Sequence, residues 1–142
     1  MNYKKFVEQL KEVGLVDDRN LICHSYRSVT SSSNRIVYMK FSTVANDRRM
    51  PSFMLLSIKD DMLHISQAKA FGGYKKYYAS FKLSNLKFET EISYGVTKIF
   101  AFNVFKDEKR IGNFFIIAIR HMDDVIKLVN AIKDYIIVEK EW

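Results

Sequence analysis

From about Ser52 to Ile137 the chain is a succession of short apolar and aromatic runs, each broken by a turn signal, ending in one amphipathic helical stretch. Runs of this length, rich in β-branched and aromatic residues, are strand signals, and their regular spacing describes a meander. The breaks fall at Lys59-Asp60-Asp61, Gly72-Gly73, Ser84-Asn85, Ser93-Tyr94-Gly95 and Lys106-Asp107-Glu108-Lys109. Counting from Arg35-Ile36-Val37-Tyr38-Met39-Lys40-Phe41 gives seven strands. A sheet followed by a single closing helix suggests a curled half-barrel with its open end plugged.

The closing helix is written plainly. Met122, Val125, Leu128, Val129, Ile132 and Ile136 share one face, with Lys127, Asn130, Lys133 and Asp134 opposite. Asp123 and Asp124 fall in its first turn, where carboxylates complement the helix dipole. A first helix is expected on Tyr3, Phe6, Val7, Leu10 and Val13, ended by Gly14 as a left-handed cap. Between them, Leu21 to Val29 reads as a further strand and Thr30 to Asn34 as a polar turn.

At 142 residues the chain fits one domain, spanning residues 1–142. No apolar run reaches the 18 or so residues needed to cross a bilayer. The N-terminal stretch alternates charge instead of carrying the apolar core of a signal peptide. With Cys23 as the only cysteine, an intrachain disulfide or a multi-thiolate metal site is excluded, and a reducing cytoplasm is the simplest location.

The order of seven antiparallel strands and a C-terminal helix resembles the pleckstrin-homology-like barrel, in its bacterial GRAM-type form. Leu55-Leu56-Ser57-Ile58-Lys59-Asp60-Asp61-Met62-Leu63-His64-Ile65 is similar to that group's second and third strands, through Leu56, Leu63 and Ile65. Phe81 to Phe88 is similar to the segment in which one short strand passes through a polar turn into the next. The resemblance covers residues 35–138, and residues 1–34 form an N-terminal helix and extension outside it. It implies a mostly β, α+β fold: a seven-stranded antiparallel half-barrel closed by the C-terminal helix, with the N-terminal helix added. The expected function is a non-catalytic binding or adaptor module; no motif supports an enzyme, and that question stays open.

Chemistry-bearing residues are sparse. Cys23 and His24 are adjacent, but neighbours in a strand point to opposite faces and cannot form a nucleophile–base pair. His64 and His121 lack a second ligand at a metal-binding spacing. Asp60-Asp61 reads as a turn and Asp123-Asp124 as helix capping, while Gly72-Gly73 lacks the spacing of a phosphate loop. No catalytic residue, metal ligand or cofactor site follows from these motifs.

Charge is more informative. The chain carries a net +7, yet residues 1–18 and residues 89–142 are each net −1, so residues 19–88 hold net +9. No acid occurs between Met62 and Phe88. Within that region Lys69-Ala70-Phe71-Gly72-Gly73-Tyr74-Lys75-Lys76 interleaves cations, glycines and aromatics. Such a loop suits an anionic membrane surface or single-stranded nucleic acid, and equally a hairpin whose tyrosines pack on the barrel. The expected binding residues are therefore Lys69, Lys75, Lys76, Arg35, Lys40 and Tyr74, gathered on one basic face. A protein partner or an anionic surface comes first. Nucleic acid ranks lower, because RNA-binding signatures are missing elsewhere. The alternative is a small enzyme or ligand carrier that uses the barrel interior.

Overall fold

The computed structural model describes residues 3–27, 37–41, 53–69, 73–119 and 123–140. Helix α1 (Tyr3–Glu12) opens the chain, followed by β1 (Ile22–Arg27), β2 (Val37–Phe41), β3 (Phe53–Lys59), β4 (Met62–Ala68) and β5 (Tyr74–Lys82). A 3-10 turn (Leu83–Asn85) leads into β6 (Leu86–Tyr94), β7 (Thr97–Lys106), β8 (Lys109–Ile119) and helix α2 (Asp123–Lys140). The fold is thus mostly β with a helix near each end, as expected.

Among the described residues the strands form one eight-stranded sheet in the order β5-β4-β3-β1-β2-β8-β7-β6. Two features depart from a seven-stranded antiparallel meander. Strand β1, assigned above to the N-terminal extension, lies in the middle of the sheet between β2 and β3. It also runs parallel to β2, through the pairs Tyr26↔Tyr38 and Arg27↔Met39. Two residue pairs are described there, and the nine residues 28–36 connect the strands, fewer than the dozen or more of a usual parallel crossover.

Strands β5 and β6 are the two outermost strands, yet only Leu83, Ser84 and Asn85 separate them. A flat eight-stranded sheet measures about 34 Å across. Four virtual bonds from Lys82 to Leu86 reach about 15 Å at most. The sheet must therefore curl until its edges approach, although β5 and β6 do not pair.

The curl gives the sheet an inner and an outer face. On the inner face α2 lays Val125, Leu128, Val129 and Ile132 against Cys23, Met54, Leu56, Ile58, Phe100, Phe102 and Ile116, all buried. The predicted apolar face of α2 is the packed one; Met122 and the side chain of Ile136 lie outside the described residues. Lys133 extends over the Phe88 ring at 4.5 Å, a cation–π contact at the rim of this core.

On the outer face α1 buries Phe6 and Leu10 against Ile22, Leu55 and Ala68. Its end forms a Schellman cap. Gly14, at φ +73°, donates to the Lys11 carbonyl at 3.1 Å, and Leu15 donates to that of Leu10 at 2.8 Å. Leu10 and Leu15 supply the apolar contact that accompanies this motif. Strand β3 is covered on both sides, Leu56 by α2 and Leu55 by the α1 layer, which is why Phe53-Met54-Leu55-Leu56 is continuously apolar.

Two-residue loops set the hairpin registers. Asp107 and Glu108 both have positive φ, as a type I′ turn requires, and close β7–β8. Asp60-Asp61 closes β3–β4, and its geometry is fixed from outside the hairpin. Asp17 accepts the Asp60 amide at 2.9 Å, and Arg19 donates to the Asp60 carbonyl at 2.9 Å. Arg19 is itself bound to Asp17 at 2.7 Å.

Candidate functional site

Strand β5 and the residues leading into it carry most of the expected binding side chains. Lys69 donates its backbone N–H to the Gly73 carbonyl at 2.9 Å, closing the base of the connection between β4 and β5. Gly73 has φ +101°, which an L side chain rarely adopts, and a Cβ there would meet Gln9 Oε1 at 3.3 Å. The same oxygen accepts the Tyr74 amide at 3.0 Å. Helix α1 therefore pins the start of β5 through Gln9, and Gly73 is an anchored, buried position and not a hinge at a free tip.

Lys69, Lys75 and Lys76 are exposed around this anchor. Tyr74 departs from expectation. It is half-buried and packs on the α1 layer, so it is no exposed aromatic at a loop tip. The reason is register: Tyr74 pairs with Ala68, a member of the outer-face core, and shares its surroundings. Phe71 and Arg35 lie outside the described residues, as does the Lys40 side chain. Lys40 pairs with Phe115 in the β2–β8 ladder, whereas Lys75 and Lys76 lie on β5, four strands away in the sheet, with Lys69 next to its start.

A second constellation was not visible in the sequence. Ser57, His64 and Ser80 are successive cross-strand partners on β3, β4 and β5. His64 Nδ1 lies 2.7 Å from Ser80 Oγ, and the Tyr77 hydroxyl donates to Ser80 Oγ at 2.8 Å. Burial lowers the His64 pKa below its ordinary value and Lys59 adds to the effect, with Asp60 opposing it. A neutral ring either accepts at Nδ1 from the Ser80 hydroxyl or donates from Nδ1 to it, according to its tautomer. The buried hydroxyls of Ser57 and Ser66, on the same side of these strands, have no hydrogen-bond partner among the described residues. The His64–Ser80 distance suits a nucleophile and its base, but among the described residues no third side chain holds the ring in place. Residues far apart in the chain meet here only through strand register.

Among the described residues the interior offers no comparable chemistry. The inner-face core is filled by apolar side chains and Tyr78. A cleft of about 280 Å³ opens between the start of β1 and the N-terminal turns of α2, lined by Arg19, Asn20, Leu21, Ile22, Asp124 and Lys127. Its charges are mixed, and its arginine is already engaged by Asp17. Among the described residues no three His, Cys, Asp or Glu side chains gather as a metal site would require, and no helix is long and apolar enough to cross a membrane. Compared with protein-family models, curated proteins and solved structures, the chain finds no match.

Proposed function

We propose that this chain is a non-catalytic binding module that docks an acidic, extended segment of a protein partner along its β5 edge. The observation that carries this reading is the coincidence of an outermost strand with exposed Lys75 and Lys76 and the neighbouring Lys69. An outermost strand offers unpaired backbone N–H and C=O groups, and a partner strand can add to them. Lysines on such an edge repel cationic strands and discourage indiscriminate pairing, while they attract an acidic one. Gln9 holds the start of the strand in place, so little ordering cost falls on this side of the complex.

A protein partner is favoured over an anionic bilayer because Tyr74, the aromatic expected at the loop tip, is packed on the α1 layer and is not free to enter a headgroup layer, while Tyr77, though exposed, has its hydroxyl bound to Ser80. The proposed scaffold is the pleckstrin-homology-like one, with β2 to β8 as its seven strands, α2 as the closing helix and β1 as an added central strand. A sequential run of strands ending in a helix packed on the inner face supports it.

The test is fluorescence anisotropy with a labelled peptide of alternating Glu and Val, against a Lys/Val control and vesicles containing phosphatidylserine. The parent is expected to bind the acidic peptide more tightly at low salt, and K69S/K75S/K76S to lose at least tenfold in affinity with its melting temperature unchanged. No binding of the acidic peptide by the parent, equal binding by the triple variant, or binding to vesicles alone overturns the proposal.

A further inference from the structure

The opposite edge of the sheet has a different character. Every residue from Glu89 to Val96 is exposed, and this stretch holds Ile92 at 40%, Tyr94 at 67% and Val96 at 66%. These are three of the five exposed large apolar residues among the described ones. The apolar surface continues inward across the sheet. Ile92 pairs with Ile99, and Ile99 pairs with Ile117. Phe100 and Ile116, their neighbours in sequence, belong to the inner core, so Ile92, Ile99 and Ile117 form a row on the outer face. Helix α1 covers β1, β3 and β4 on that face, and its cluster includes no residue of β6, β7 or β8.

We propose that two copies of this chain pair antiparallel through β6, about a two-fold axis at Ile92. Such pairing joins the two sheets edge to edge and sets the isoleucine row of one copy end to end with that of the other. In this register Tyr94 lies opposite the second copy's Thr90, and Glu91 lies opposite its Ser93. Glu89 falls opposite the turn residue Gly95, so no two carboxylates face each other across the seam. Shifting the axis to Glu91 would set Glu91 against itself, and shifting it to Thr90 would set Glu89 against Glu91. Like charges directly opposed destabilise a strand pair. The β-bulge between Phe88 and Thr90 limits the overlap at one end and the Gly95-Val96 turn limits it at the other. A five-residue overlap from Thr90 to Tyr94 makes a small isologous interface, and hence a weak, concentration-dependent dimer.

The register can be read directly. Under mild oxidation Ile92→Cys should give a disulfide-linked dimer, because residue 92 opposes itself across the axis. Ser93→Cys should not, because it opposes Glu91. The native Cys23 is buried and does not interfere. Sedimentation equilibrium of the parent should show a dimer that dissociates on dilution, and Ile92→Asp should weaken it at least tenfold with an unchanged circular dichroism spectrum. A parent that stays monomeric at millimolar concentration, an Ile92→Asp variant that dimerises like the parent, or equal crosslinking through both cysteines overturns the proposal.

Discussion

Leu128→Ala tests whether α2 is what closes the inner face. Leu128 is fully buried, with Val125, Val129 and Ile132 on the same helix face and Leu56, Ile58 and Phe102 in the same cluster. Truncation to alanine removes about three methylene equivalents, or roughly 2.4 kcal/mol of transfer free energy. A cavity term is added to the extent that the surroundings fail to collapse. Helix and sheet clamp the site from both sides, so little collapse is expected, and the total should lie near 3–4 kcal/mol within the roughly 2–5 range for such substitutions. For a domain of this size that corresponds to a fall of roughly 10–15 °C in melting temperature. Urea denaturation with a common m-value supplies the free energy, and Asn130→Ala on the exposed face is the control, expected within about 0.5 kcal/mol. A loss below about 1 kcal/mol for Leu128→Ala would refute the reasoning, since α2 would then be dispensable to the core.

Asp17→Asn should loosen the β3–β4 turn and remove a pH-dependent contribution. Hydrogen bonds from Arg19 hold the Asp17 pKa down at about 2 against 3.8, so its stabilisation is present above pH 3.8 and is lost as pH falls through 2. The pair is largely at the surface, so the difference between parent and variant should be about 1 kcal/mol or less at pH 7. That difference should close between about pH 4 and pH 2 in acid denaturation. Gly73→Ala places a side chain at φ +101° against Gln9 and should destabilise by about 1–3 kcal/mol. Thermal melts check it, and an unchanged melting temperature would mean that Gln9 does not anchor β5.

Much of the fold is legible because it is local. The α2 stripe, the Asp107-Glu108 and Asp60-Asp61 turns and the strands from Phe53 onward each declare themselves within a few residues. What the sequence hides is pairing between distant segments. Nothing in Ile22–Arg27 announces a central strand, since its place depends on Leu55 and Leu56, which follow about thirty residues later. Tyr74 looks like an exposed loop aromatic until its pairing with Ala68 and the reach of Gln9 turn it inward. The row of Ser57, His64 and Ser80 is likewise a product of register alone. The lysines at 69, 75 and 76 are legible as exposed because a lysine is almost never fully buried unless paired.

The central position of β1 and β2 has a consequence for how the chain assembles. Strands β3 to β5 and β6 to β8 are two hairpin meanders that can each zip through near neighbours. They become one sheet only when the two strands at the N-terminal side of both are laid between them, β1 against β3 and β2 against β8. Val37 meets Ala118, so the final closure joins segments about eighty residues apart. Contacts of that sequence separation carry a loop-closure cost before they return any stabilisation, and they place the chain among slow-folding topologies. These two central strands therefore have the most distant partners in sequence to find. Until they do, the facing edges of β3 and β8 stand open.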